Sequence, residues 1–162
     1  MIILGIDPGL NTSGYGIIRY EKSCIRYVAA GTIATAKAGH FPGKLEILFN
    51  TCCEIIDDHQ PDVYAIEETY SNVNPRTSLK LGHARGVLML AAQTKGCPVY
   101  EYPAASVKKA LTGTGSASKE QVKYMVLKIL NLQELPGKMD VSDALAVAIT
   151  HYHQIRYNLL KS

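Results

Sequence analysis

Four acidic residues have the types and spacings needed to hold a hard cation. Asp7 ends the aliphatic run Ile2–Ile6 and is followed by Pro8-Gly9, and Glu67 ends a second apolar run that starts at Asp62. Asp140 and Asp143 lie three residues apart at the start of a helical pattern, about 60° apart around its axis. Carboxylate oxygens suit Mg²⁺, which keeps several waters and needs few protein ligands. Two such ions ~4 Å apart hold the attacking and leaving oxygens of an in-line phosphoryl displacement. Acids packed together without a cation repel one another and raise their own pKa values. Either Asp140 or Asp143 alone is equally a first-turn acid facing the helix dipole. The metal reading therefore depends on a fold that gathers all four.

Hydrophobic periodicity outlines the elements that would position them. Ile2–Ile6 suits a buried strand, and residues 7–14 are dense in turn formers. Tyr15–Tyr20 and Cys24–Ile33 are β-rich and separated by Glu21-Lys22-Ser23, which predicts an antiparallel three-stranded meander. From Pro42 the period changes, and Leu45, Leu48, Cys52, Ile55 and Ile56 mark a helix to about Asp58. Asp62–Glu67 reads as a fourth strand, Pro75–Lys95 as a second helix stopped by Gly96, and Cys97–Tyr102 as a fifth strand. A short helix is expected near Ala105–Leu111. Another begins at Ser118, where Ser118 and Gln121 form an S-x-x-Q capping box. The last starts near Met139, with Val141, Leu145, Ala148, Ile149, Tyr152 and Ile155 on one stripe.

A helix precedes each of the last two strands, so right-handed crossovers set both parallel to the first. The expected fold is α/β: a five-stranded mixed sheet, three antiparallel strands plus two parallel, flanked by helices, in one domain spanning residues 1–162. Ligands in such sheets sit beyond the carboxyl ends of the strands, where Asp7 and Glu67 would face each other.

With 162 residues, 47% hydrophobic and 19% charged, the chain can bury a core, which excludes disorder. No apolar run approaches the ~20 residues of a membrane helix. The amino-terminal run meets Asp7 too early, and lacks the basic start, for a signal peptide. A soluble cytoplasmic protein with no membrane partner is expected. Cys24, Cys52, Cys53 and Cys97 show no CxxC spacing, which argues against zinc and a disulfide framework. Residues 1–68 carry 5 Lys+Arg against 9 Asp+Glu, whereas residues 69–128 carry 9 against 2. That positive stretch suits a polyanion such as DNA or RNA. On charge alone, solvated helix faces explain it equally well.

Ile3-Leu4-Gly5-Ile6-Asp7-Pro8-Gly9 with Gly14-Tyr15-Gly16, Ala65-Ile66-Glu67, Leu79 to Gly86 (LKLGHARG) and Asp140 to Ala146 (DVSDALA) occur in this order along nearly the whole chain. Together they resemble the RuvC Holliday-junction resolvases. The resemblance implies an RNase H-like fold, with Asp7, Glu67, Asp140 and Asp143 as the catalytic, metal-holding acids. It implies Mg²⁺ as cofactor, two ions per active site, with Mn²⁺ as a substitute. The implied protein is a homodimer that binds four-way junction DNA in homologous recombination and DNA repair. It would make paired symmetric nicks that leave ligatable 5′-phosphate ends, in partnership with the RuvA–RuvB branch-migration complex. Lys108 and Lys119 match basic positions near the scissile phosphate. Tyr70 stands where the family often has Phe, and it keeps the π-face needed to stack on a junction base. With Arg76 and Lys80, these make up the expected DNA contacts. Glu68 replaces a common Gln, and strand alternation points it away from Glu67.

Two other functions use the same residues. Another RNase H-like nuclease, acting on hybrids or flaps, would share the acids, whereas a non-catalytic junction-binding module would not require all four. Asp7-x-Gly9 with Gly14 also resembles the first phosphate loop of actin-like ATPases and sugar kinases, which need two such domains. Gly113-Thr114-Gly115-Ser116 lacks a P-loop ending. His151 and His153 read as exposed or singly satisfied, with no G-x-S-x-G partner motif. Gly82 and Gly86, with Ala84 between, leave a small-residue patch that either packs on the sheet or meets a twofold mate.

Overall fold

Alternation in the first strand sets the layering of the molecule. The computed structural model describes residues 1–22, 24–68, 74–135 and 139–161. In β1 (Ile2–Asp7), Ile3 faces one hydrophobic cluster while Leu4 and Ile6 face another on the opposite side of the sheet. β1 pairs antiparallel with β2 (Thr12–Glu21), which pairs antiparallel with β3 (Cys24–Ala34). After a 3₁₀ turn at Ala36–Ala38, α1 (Phe41–His59) crosses to β4 (Val63–Glu68), parallel to β1. α2 (Pro75–Thr94) then crosses to β5 (Val99–Pro103), parallel to β4. The sheet order is β3-β2-β1-β4-β5, the mixed sheet expected from the element order. Three helices follow: α3 (Ala104–Thr112), α4 (Lys119–Leu130) and α5 (Met139–Lys161).

α1 and α2 cover one face through Leu48, Cys52, Leu88 and Ala91. α5, flanked by α3 and α4, covers the other through Val141, Leu145, Ala148 and Ile149. α5 sits close against the sheet because three strand positions, Gly5, Gly14 and Gly16, have no side chain. A Cβ on Gly5 would lie 2.2 Å from the Ala144 carbonyl oxygen, and one on Gly14 would lie 2.0 Å from that of Asp140. Real Cβ atoms do not approach so closely, so these glycines fix the depth of α5.

Two boundaries differ from expectation. β2 begins at Thr12 because Thr12–Gly14 pair with Thr32–Ala34, which shortens the β1–β2 loop to residues 8–11. Buried Ser13 ties that loop, its Oγ accepting from the Gly9 N–H at 3.0 Å and donating to the Gly9 carbonyl at 3.1 Å. Cys97 is not in β5, since its N–H bonds back to the Ala92 carbonyl and finishes α2. The capping box at Ser118–Gln121 forms in both directions. All four cysteines are free, and no described helix is long and apolar enough to cross a membrane.

Candidate active site

Strand register brings the first two acids together. Ile6 is opposite Ile66, so the next residues, Asp7 and Glu67, emerge side by side at the carboxyl ends of β1 and β4. Ala65 belongs to the cluster under α5 and Ile66 to the cluster under α1 and α2, so alternation turns Glu67 toward α5 and Glu68 away. On the far side of β4, the Arg85 guanidinium reaches the Glu67 carbonyl at 3.3 Å and pairs with Glu101, fixing the strand end from α2. Asp7 is the cross-strand partner of Gly14, whose bare Cα lets the first turn of α5 sit directly above.

Asp140 and Asp143, both half-buried, arrive with that turn. Lys119, the first residue of capped α4, donates from Nζ to Asp143 Oδ2 at 2.9 Å. Asp7, Glu67, Asp143, Lys108 and Lys119 line one cavity of about 90 Å³, walled by Val107, Val122 and Ala146. Asp140 stands beside it above Gly14, close enough to act on the charge of Asp7.

The electrostatics are those of crowded carboxylates in a partly dry site. Burial first, then Glu67 and Asp143, raises Asp7 from 3.8 to about 8, with Lys119 opposing. Glu67 rises from 4.5 to about 7, again through burial first and then Asp143, opposed by Lys119 and Lys108. The hydrogen bond to Asp143 raises the Lys119 ammonium above its ordinary value. Among the described residues, no three acids, histidines or cysteines are already gathered to hold a metal ion, and the Lys119 ammonium is in direct contact with the cluster through Asp143. The donor set nevertheless fits a hard divalent ion: several carboxylates, no thiol or imidazole, and a cavity with room for an ion that retains some of its waters.

The other expected contacts are placed less tightly. Arg76 and Lys80 are exposed on the first turns of α2, on the opposite face of the sheet from the cavity. Tyr70 lies outside the described residues. Arg85 and Lys95 of the basic stretch are held by Glu101 and Asp57. Gly82 and Gly86 are exposed, and a Cβ on either would meet nothing within 4 Å, so of the two readings of this small-residue patch, packing on the sheet does not hold for the glycines. They lie between exposed Leu79 and Leu90 on an open face of α2.

His151 takes the singly satisfied form of its reading, and Ser13 is a support that the sequence did not single out. His151 is buried, and its Nδ1 lies 2.7 Å from the hydroxyl of Tyr102, the register partner of Glu67 on β5. Ser13, the tie of the loop after Asp7, carries no local signal, because its partner becomes apparent only once the loop closes.

Comparison with known proteins identifies one family and, beyond it, a shared fold. The family model described as crossover junction endodeoxyribonuclease RuvC matches residues 3–151. The crossover junction endodeoxyribonuclease RuvC of Delftia acidovorans is 48% identical over 155 residues, 94% of this chain and 85% of that one. Thermus thermophilus RuvC in complex with a Holliday junction substrate superposes with a TM-score of 0.90 at 32% identity, covering 98% of this chain and 96% of that one. The yeast mitochondrial Holliday junction resolvase shares the fold at a TM-score of 0.64 and 14% identity, covering 97% and 85%.

Proposed function

The chain belongs to the RuvC crossover junction endodeoxyribonuclease family, and from that premise we propose that it resolves four-way DNA junctions by metal-dependent phosphodiester hydrolysis at the cavity between Asp7, Glu67 and Asp143. The observation that carries the reading is the lining of one cavity by Asp7, Glu67 and Asp143 together with Lys108 and Lys119, where burial and mutual repulsion push Asp7 and Glu67 up. Carboxylates forced together at such cost make sense where a cation offsets it.

Asp7, Glu67, Asp140 and Asp143 would hold two Mg²⁺ ions, or Mn²⁺ in their place. When bound, such ions supply Lewis acidity and a reactive water at neutral pH. Lys108 and Lys119 hold the scissile phosphate against the acids and neutralise the charge that builds on its oxygens. Val107, Val122 and Ala146 keep bulk water from that wall, which strengthens each of these interactions. Arg76, Lys80 and Tyr70 hold the flanking DNA. The whole chain serves as one nuclease domain. Two copies, meeting across the open α2 face, place two cavities on one junction and give paired symmetric nicks. The nicked ends carry 5′-phosphates and can be resealed, consistent with work beside RuvA–RuvB in recombination and repair.

The direct test is cleavage of an end-labelled, mobile-core four-way junction with Mg²⁺, with EDTA, and with Asp7→Asn. Symmetric, ligatable nicks that vanish with EDTA or in the variant, while binding persists, establish the reading. Binding without cleavage under every divalent metal replaces it with a junction-binding module. Preference for hybrids or flaps over four-way junctions points to a different RNase H-like nuclease.

A further inference from the structure

Two acid-free stretches converge at one corner of the fold. No Asp or Glu occurs between Glu21 and Glu46, or between Glu68 and Glu101. The first stretch contributes His40 and Lys44 at the start of α1, and the second contributes Thr77 and Lys80 at the start of α2. With Asn11 and Phe41 they line a cleft of about 320 Å³ beside the β1–β2 loop. No carboxylate lines it, and Glu46, the nearest acid in sequence to Lys44, points about 200° away around α1.

The cations in this cleft have no anionic partner among the described residues. The Lys44 ammonium donates to Asn11 Oδ1 at 2.5 Å, which leaves two of its three N–H donors for a ligand. Lys80 Nζ sits 5.5 Å from the Phe41 ring centroid, and none of the three described ion pairs involves either lysine. Lys37 and Arg76 stand exposed at the same end of the sheet and extend the positive field.

We propose that this cleft is a second phosphate-binding subsite, which grips the backbone of a junction arm away from the scissile strand. The inference rests on the junction-resolving reading above. Asn11 lies only four residues past Asp7, so the cleft is at the same end of the sheet as the acids but on the α1–α2 face. Lys108 and Lys119 line the cavity on the α5 face and serve a different phosphate. A junction has arms that diverge from its crossover, so DNA held at the acids continues over the β1–β2 loop into this corner. The ligand is backbone rather than base. The Phe41 ring already carries Lys80 on its face and the His83 ring 5.9 Å away, edge to face, and so offers no platform for stacking. Such contacts set register without reading sequence.

The test is junction affinity as a function of salt. A fluorescent immobile four-way junction is titrated in EDTA from about 50 to 300 mM KCl with wild type, Lys44→Gln, and Lys44→Gln combined with Lys80→Gln. Each lysine on a phosphate contributes about 0.9 to the log–log salt slope, so the single variant should flatten it by about one and the double by about two. Affinity in the double should fall about tenfold or more near 100 mM, and the Arg pair at the same positions should restore it. Lys22→Gln, in the β2–β3 turn at the far end of the sheet, should leave the slope as it is. A double variant whose slope matches that of Lys22→Gln overturns the subsite while wild-type cleavage stands. A wild-type protein that neither binds nor cuts junctions overturns the resolvase reading, and the subsite with it.

Discussion

Gly14 pairs across the sheet with Asp7, and a Cβ built on it would stand 2.0 Å from the carbonyl oxygen of Asp140. This missing methyl group, with those at Gly5 and Gly16, therefore sets the distance between an acid at a strand end and the acids at a helix start. The Gly14-containing motif works as a seat for α5, in addition to any part it has in the turn.

Gly14→Ala should therefore damage activity more than stability. Overpacking of this kind costs about 1–3 kcal/mol, since the first turn of α5 can lift. Lifting it by about 1 Å displaces Asp140 and Asp143 and should slow junction cleavage by about 100-fold or more. Thermal unfolding and single-turnover cleavage measured side by side check this, and near-wild-type cleavage would refute it.

Metal-free protein should lose stability as pH rises from about 4 to 8. Asp7 titrates near 3.8 when unfolded and near 8 when folded. A raised acid favours the fold fully below the lower value, and that advantage is lost as pH climbs through the higher one. Glu67 adds the same trend up to about 7. In EDTA, Asp7→Asn should flatten the pH dependence and be more stable than wild type by a few kcal/mol at pH 8, since each tenfold change in proton affinity is worth about 1.4 kcal/mol. Saturating Mg²⁺ should reverse the order. Melting curves between pH 4.5 and 8.5 with and without metal provide the comparison.

The Lys119–Asp143 bond should matter most when no divalent ion is present. Lys119 is largely exposed, so the pair is worth only about 0.5–1 kcal/mol. In EDTA, Lys119→Met should lower stability by that amount and Asp143→Asn should cancel most of the difference. With saturating Mg²⁺ the coupling should vanish. A double-mutant cycle gives the same coupling in both buffers if the lysine merely decorates the surface.

The open face of α2 should be the seam between two copies. Gly86→Arg puts a long charged side chain where a Cβ now meets nothing. The folded monomer should tolerate it with unchanged melting, whereas sedimentation should show dissociation and cleavage should shift from paired to single nicks. A wild-type mass that stays monomeric at all concentrations removes the twofold arrangement.

Local patterns were enough to read the elements and their order. Period-two runs marked β1 and β4, period-3.6 stripes marked α1 and α5, and Ser118–Gln121 announced the start of α4, because each signal is carried by residues close in sequence. The polarity of the sheet followed from handedness, which needs only the element order. The four acids were legible as types at strand ends and a helix start. The facing of Asp7 and Glu67 followed from strand order, but their meeting with Asp140 and Asp143 did not, because it depends on contacts between segments far apart in the chain. Only the folded chain showed that Gly14 seats Asp140, that Lys119 holds Asp143, and that burial drives Asp7 to about 8. It also decided that Gly82 and Gly86 face outward while Ala84 packs inward, a choice that spacing leaves open. Secondary structure is written in neighbours, whereas a site is written in the depth at which one layer settles on another.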